Sequence, residues 1–316
     1  LKAIAPLLVF FLVVSSLCNA GKSHGGVIKT VIILYMFSTV LAAVIAVFAS
    51  MAFPVKMTLA NAATDTSAPQ GIVEVLNNLL LNVVANPVSS LVNANYVGIL
   101  MWAVLLGLAF RVADKMTKKV LADVADGISM VVTWIINLAP FGIFGLVFNT
   151  VSTNGLDIFT TYGKLLILLV GCMLFIYFVT NPLLVYWCIR QNPYPLIFHC
   201  LKRSALTAFF TRSSAANIPV NMKVCEEMGL DRDTYSVTIP LGATINMDGA
   251  AITITVMTMA TAFTLGIHVD IPTAIILSLL AALSACGASG VAGGSLLLIP
   301  MACSLFGISD DISMQV

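Results

Sequence analysis

The chain has 316 residues, of which 59% are hydrophobic and only 9% are charged. Soluble domains carry about a quarter charged residues, so this composition excludes an ordinary water-soluble enzyme and indicates a membrane protein with several spans. The 15 basic and 14 acidic residues leave a net charge of +1, which provides no basic surface for a nucleic acid. The 7 cysteines form no CxxC pair, which argues against a disulfide framework or a zinc site.

Apolar runs near the length of a membrane span recur along the chain. A helix needs about 20 residues to cross the hydrocarbon core of a bilayer. The runs that approach this length are 3–20, 30–53, 97–113, 128–150, 165–189 and 239–266. Segment 72–96 carries several asparagines and the dipeptide Asn86-Pro87, which predicts a broken helix. We expect both ends to be cut from a longer protein, because the chain opens inside an apolar run and stops where a further helix begins.

Positive charge gathers in alternate linkers between these runs. The basic linkers are 21–29, 111–119 and 190–203. The linkers with at most one lysine or arginine are 54–71, 151–158 and 267–272. By the positive-inside rule the basic linkers should be cytoplasmic, and the chain should therefore enter the membrane at Leu1 from outside.

Each of two further stretches consists of two apolar arms, too short to cross, joined by a tip. The tip of 195–229 is the polar segment 212–217, and that of 272–306 is the small-residue segment 287–295. This pattern predicts two re-entrant hairpins, and a pair of interrupted apolar segments points to the binding site of a transporter. The alternative is that both tips are surface loops between ordinary short helices.

An isolated carboxylate lies between the two predicted hairpins. Asp248 has about nine residues free of charge on either side, and burying it in a bilayer costs roughly 2.5–3.5 kcal/mol. Thr244, Asn246 and carbonyls loosened by Gly249 would form an oxygen-rich pocket that suits a small hard cation. The alternative is an aspartate that is hydrogen-bonded for structure alone. Arg212, the other isolated charge, would balance an acid on a neighbouring helix, attract an anionic substrate, or extend its stem toward the cytoplasm.

The segment Gly287–Gly290 also matches the GxSG pattern of intramembrane serine proteases, with Ser289 as the nucleophile. Such a serine needs a histidine on another helix. His24 and His199 lie among basic linker residues and His268 at the end of a span, so the protease hypothesis is weak. An ion channel, with the glycine-rich tip as its filter, is a further alternative. We expect no covalent chemistry and no organic cofactor.

Three motifs occur in order, TRSSAANIPVNM, IPLGATINMDGAA and CGASGVAGGSLLLIP. Together they resemble the dicarboxylate/amino acid:cation symporter family, which has the glutamate-transporter fold, and within it the bacterial sodium-coupled carriers of serine and threonine. The resemblance runs along nearly the whole chain. It implies an all-α polytopic protein of the bacterial inner membrane, with two re-entrant helical hairpins. It also implies a homotrimer that works by an elevator movement.

The resemblance further implies a division of the chain and a set of ligands. The scaffold would be 1–20 and 72–150, and the transport part 30–53 and 159–316. The implied sodium ligands are Tyr35, Ser38, Thr39, Gly242, Thr244, Asn246, Met247, Asp248, Ala285, Cys286 and Ala288. The implied substrate contacts are Arg212, Ser213, Ser214, Asn246, Asp248, Ala250, Val291 and Gly293.

Two positions depart from the acidic-amino-acid carriers of that family. Ala250 stands where those carriers have a threonine, and Ala292 stands where they have a proline. A methyl group at position 250 offers no hydroxyl to a side-chain carboxylate. We therefore expect sodium-coupled import of a small neutral amino acid, serine or threonine, with acidic amino acids or dicarboxylates as the alternative substrates.

Overall fold

The computed structural model describes residues 4–19, 26–57, 84–93, 95–138, 158–214, 217–286, 294–308 and 310–313, with isolated positions between 81 and 152. Every regular element in these ranges is helical, as the family resemblance implies. The α-helices are α1 Ala5–Asn19, α2 Gly26–Ala52, α3 Pro87–Val92, α4 Tyr96–Ala109, α5 Lys115–Asn137, α6 Ile158–Phe175, α7 Asn181–Ile189, α8 Tyr194–Cys200, α9 Leu206–Thr211, α10 Ile218–Glu227, α11 Arg232–Ile245, α12 Asp248–Thr264, α13 Ile271–Ala285, α14 Ile299–Ser304 and α15 Asp310–Ser313. The 3-10 turns are Phe110–Val112 and Gly294–Leu298, and the π turns are Ile176–Thr180 and Leu201–Ala205.

Three helical stretches of the described residues are long and apolar enough to cross a membrane. They are Lys29–Ala52, Tyr162–Ile189 and Val237–Thr264. They coincide with three of the apolar runs of the sequence, those at 30–53, 165–189 and 239–266. The chain therefore carries membrane-spanning helices, as its composition predicts.

Helix α5 begins earlier than the apolar run at 128–150 predicts. The backbone amide of Thr117 donates to Asp114 Oδ1 at 2.8 Å, so that Asp114 acts as an N-cap in the basic linker. Lysine, alanine and leucine are good helix formers, and they continue the helix from Lys115 into the apolar part. Hydropathy located only the apolar end of this helix. Its first turns are polar, so a search for apolar runs does not detect them.

The predicted break in 72–96 is confirmed for the residues that the structure describes. Asn86 caps α3 by accepting hydrogen bonds from Val88 N at 2.9 Å and Ser89 N at 3.1 Å. Proline follows at the first helical position, where its missing donor costs nothing. Asn95 then caps α4 through Gly98 N at 3.2 Å, so each of two asparagines begins a separate helix.

Helix α12 lies in the hydrophobic core and packs against α2, α13 and α14. All of its residues from 254 to 262 are buried. Small side chains let these helices approach closely. The fully buried alanines on these helices are Ala42, Ala43, Ala46, Ala251, Ala262, Ala281, Ala282, Ala285 and Ala302. Helix α1 packs on α4 and α5, and its buried side chains belong to the same hydrophobic core.

Both predicted hairpins contain two arms that contact each other. In the first, Ser204 Oγ donates to Asn221 Oδ1 at 2.5 Å, and Arg203 pairs with Glu227 at 3.4 Å. In the second, Ser284 Oγ lies 3.4 Å from Met301 Sδ. Arg212 ends α9 in the left-handed region at φ 52°, and the second tip at 287–293 lies outside the described residues. That the hairpins re-enter the membrane stays a prediction.

Candidate functional site

The site is built around a break between α11 and α12. Helix α11 contains Pro240, which cannot donate a backbone hydrogen bond, and it ends at Ile245. Asn246 and Met247 have non-helical backbone angles, and α12 starts at Asp248. The break leaves backbone carbonyls without helical partners, and it places the Asp248 carboxylate at a helix N-terminus, where the helix dipole favours negative charge.

Helix α2 supplies two hydroxyls to this carboxylate. Ser38 Oγ donates to Asp248 Oδ2 at 2.7 Å, and Thr39 Oγ1 lies 3.2 Å from Asp248 Oδ1. Thr39 is fully buried. Two partners of the Asp248 carboxylate therefore come from a helix about 210 residues earlier in the chain.

The hydroxyl of Thr39 has more acceptors than it can serve. Its Oγ1 lies 3.0 Å from the carbonyl oxygen of Tyr35, 3.2 Å from Asp248 Oδ1 and 3.4 Å from Asn246 Oδ1. A hydroxyl carries one proton, so it can donate to only one of these three oxygens at a time. The other two oxygens then lack this donor, and a small cation placed near them would interact favourably with their lone pairs. Unwound carbonyls and carboxylates of this kind coordinate sodium in transporters.

Gly242 allows the ring of Tyr35 to lie against α11. A Cβ atom at this glycine would come within 2.9 Å of both Cζ and the hydroxyl oxygen of Tyr35. The Tyr35 hydroxyl donates to the carbonyl of Thr238 at 3.2 Å. Tyr35 therefore bridges α2 and α11 beside the oxygen cluster, and a side chain at position 242 would require the Tyr35 ring to shift.

A polar cavity of about 360 Å³ opens next to this cluster. Its lining residues come from α2, the first hairpin and α11. They are Tyr35, Ala208, Arg212, Ser213, Ser214, Asn217, Asn221, Ile239, Gly242, Ala243 and Asn246. Tyr35, Gly242 and Asn246 belong to both the cavity wall and the surroundings of the carboxylate. Binding at one place can therefore alter the other.

Asn217 and Asn221 are cavity residues that the sequence analysis did not assign. Asn217 Nδ2 donates to Ser204 Oγ at 2.6 Å, while its Oδ1 atom is buried and has no hydrogen-bond partner among the described residues. A buried acceptor left unpaired costs about 1–3 kcal/mol, which favours a ligand that can donate to it. The spacing of four between the two asparagines places them on one helix face, and this signal could have identified them.

The structure also places other predicted contacts near the break. Met247 Sδ lies 4.0 Å from Ser214 Oγ. The Cys286 thiol, directly after α13, donates to the carbonyl of Ile245 at 3.6 Å. Ala285 is fully buried at the end of α13. The end of α13 and the first tip therefore meet the α11–α12 break.

Some predicted contacts are not brought to the cavity. Ala250 is half-buried in the first turn of α12 and is not among the cavity-lining residues. The side chain of Thr244, and the whole of Ala288, Val291 and Gly293, lie outside the described residues.

Comparison with known proteins supports the family resemblance of the three motifs over the whole sequence. Residues 1–315 match the sodium:dicarboxylate symporter family. The serine/threonine transporter SstT of Bifidobacterium adolescentis is 60% identical over an alignment of 317 residues, which covers 100% of this chain and 74% of that protein. The resemblance carried by the three motifs is thereby confirmed. The chain belongs to the sodium:dicarboxylate symporter family.

Proposed function

We propose that this protein imports serine and threonine together with sodium. The observation that carries the proposal is the surplus of oxygen acceptors around the Thr39 hydroxyl and the Asp248 carboxylate, directly beside a polar cavity. Membership of a sodium symporter family supports sodium as the coupling ion. The 60% identity to a serine/threonine transporter supports the substrate. The location would be the inner membrane of a bacterium.

Sodium would bind among the oxygens of Tyr35, Ser38, Thr39, Asn246 and Asp248. Further ligands would come from the same break and from the second hairpin, at Gly242, Thr244, Met247, Ala285, Cys286 and Ala288. Because Tyr35 and Asn246 also line the cavity, sodium would fix two of its walls in the substrate-ready arrangement. Coupling is then a free energy shared by the two sites, and each ligand raises the affinity for the other by the same factor.

The amino acid would bind in the cavity between the first hairpin and α11. Ser213, Ser214 and the Arg212 guanidinium would hold its carboxylate, and Asn217 Oδ1 would accept a hydrogen bond from its ammonium or hydroxyl group. Val291 and Gly293 of the second tip would close over it. Ala250 provides no hydroxyl for a side-chain carboxylate, which favours neutral over acidic substrates.

The transport movement would follow the elevator scheme in a homotrimer. The scaffold would be 1–20 and 72–150, within which α1 packs on α4 and α5. The moving part would be 30–53 and 159–316, within which α2 packs on α11, α12 and α13. This packing supports the division, because the sodium ligands and the cavity then travel as one unit.

Uptake of labelled serine into proteoliposomes tests this function. An inward sodium gradient should drive saturable accumulation, and an equal potassium gradient should not. Unlabelled threonine should compete, and aspartate should compete poorly. Aspartate competing as well as unlabelled serine would show an acidic-substrate symporter, while flux that does not saturate would show a channel. The protease hypothesis conflicts with membership of a symporter family.

A further inference from the structure

A second cavity, of about 820 Å³, lies between α2 and α6, and we call it the α2–α6 groove. It shares no lining residue with the polar cavity of the candidate functional site. Its size is in the range of pockets that hold small ligands. The α2 wall includes Ile45 and Phe48, and the α6 wall includes Ile167 and Phe175. Phe48, Ile167 and Phe175 are large apolar side chains that the described part of the chain leaves exposed.

The groove extends from the end of two membrane spans to the middle of the membrane. Its walls belong to the stretches Lys29–Ala52 and Tyr162–Ile189, which are long and apolar enough to cross. At one end the lining residues are Phe53, directly after the first stretch, and Lys164, near the start of the second. Phe175, at the other end, is about 16 Å further along α6. Half of the hydrocarbon core is about 15 Å, so the groove has the depth of one leaflet.

Positive charge lies at the end of the groove that coincides with the span ends. Lys164 is the only charged residue among those that line the groove. It is exposed, and no acidic residue of the described ranges forms an ion pair with it. Lys56, also exposed, directly follows the wall residue Val55. A lysine near the end of a span extends its ammonium group toward the membrane surface, where the lipid headgroups lie.

We propose that the α2–α6 groove binds an anionic phospholipid, with one acyl chain between the helices and the headgroup phosphate on Lys164. An acyl chain suits the groove because the walls are apolar and the depth is that of one leaflet. A headgroup with a net negative charge suits the rim because lysines attract anionic lipids. The described lining residues include no carboxylate that could receive the ammonium group of a zwitterionic headgroup.

Two glycines of α6 provide a matched pair for the test. Gly171 lines the groove, and a Cβ atom there meets nothing within 4 Å. A leucine at this position should therefore fill part of the groove. Gly163 lies on the same helix and also has nothing within 4 Å of such a Cβ atom, but it is not a lining residue. A leucine there should leave the groove open.

The test is photo-crosslinking of the purified protein in phosphatidylcholine bilayers, followed by peptide mapping. The probe is a trace of phosphatidylglycerol with a diazirine in the middle of one acyl chain. We expect adducts on the groove walls of α2 and α6. Labelling of these walls should fall roughly fivefold in Lys164→Gln and be roughly fivefold weaker with a phosphatidylcholine probe of the same acyl chain. It should also fall in Gly171→Leu and stay unchanged in Gly163→Leu.

The opposite results would each overturn the proposal. Walls without adducts would mean that another segment of the chain, or a second copy, covers the groove. Equal labelling by the two probes, or of the wild type and Lys164→Gln, would mean that the headgroup is not recognised. Undiminished labelling in Gly171→Leu would place the acyl chain outside the groove. The comparison of the two probes uses the wild-type protein and does not depend on the folding of any variant.

Discussion

At the scale of single residues, one glycine controls the geometry of the candidate sodium site. The ring of Tyr35 lies where a Cβ atom on Gly242 would be, at 2.9 Å. Overpacking of this kind costs about 1–3 kcal/mol, and each 1.4 kcal/mol is a factor of ten. We expect Gly242→Ala to displace Tyr35 and to weaken sodium binding by roughly tenfold, measured as the sodium concentration that half-saturates serine uptake.

Gly249 is the matched control for this substitution. It lies close to the same carboxylate in sequence, but a Cβ atom there meets nothing within 4 Å. Gly249→Ala should leave the sodium requirement nearly unchanged. Equal effects of the two substitutions would mean that helix flexibility, and not the packing of Tyr35, determines sodium affinity.

Asn217 carries a prediction about the substrate. Its unpartnered Oδ1 atom should accept a hydrogen bond from serine, and a bond to a charged group contributes about 1.5–3 kcal/mol. Asn217→Ala should therefore weaken serine binding by roughly 10- to 150-fold, measured by competition with labelled serine. Ser204→Ala removes the same contact between the arms but keeps Oδ1, so it should have a smaller effect. A similar loss in both variants would assign Asn217 to hairpin structure alone.

At the scale of elements, a hydroxyl on α12 fixes the exit of α2. Met57 N donates to Thr264 Oγ1 at 2.8 Å, about 24 Å along the helix from Asp248. Thr264→Val should leave this amide unpaired and destabilise the protein by about 1–3 kcal/mol, seen as a lower Tm, with the sodium requirement unchanged. Thr253 donates only within its own helix, to Gly249 O, so Thr253→Val is the control. A Tm equal to that of the control would mean that other contacts hold the segment after α2 in place.

The elements differ in how far their sequence predicts them. Hydropathy located the spans at 30–53, 165–189 and 239–266, because a bilayer requires apolar length. It missed the start of α5, where a capping aspartate and good helix formers act outside any apolar requirement. The break at 246–247 was predictable from the proline, glycine and aspartate around it. The pairing of α2 with that break followed only from family resemblance, because contacts about 210 residues apart leave no local pattern.

The residues of the candidate site could likewise be predicted only in part from the sequence. The serines of the first tip and Asp248 are unusual within apolar surroundings, and the sequence singled them out. Asn217 and Asn221 are ordinary polar residues at the start of a helix, and their role emerges only when the opposite arm and α11 close the cavity. The surplus of acceptors around Thr39 depends on atomic positions that no pattern of residue types encodes.

At the scale of the whole molecule, the distribution of Lys and Arg predicts the orientation in the membrane. Single cysteines placed at Lys22 or Lys118 should be protected from a membrane-impermeant thiol reagent in intact cells, while one placed at Thr64 should react. A background without the native cysteines is needed, since Cys188 is exposed. A permeant reagent should label all three positions. The reverse pattern of protection would contradict this orientation of the chain in the membrane.

The central claim is that the Asp248 carboxylate binds the coupling ion, and a sodium titration of serine uptake by Asp248→Asn tests it most directly. The amide keeps the shape of the side chain, is easier to bury and so should insert normally, but it cannot offset the charge of a dehydrated cation. Asp270→Asn, a neutralisation in the segment before α13, is the control and should retain uptake. We predict loss of sodium-dependent uptake in Asp248→Asn at a normal amount of protein in the membrane. Uptake with the wild-type sodium requirement would contradict the account, because the carboxylate would then serve the structure alone.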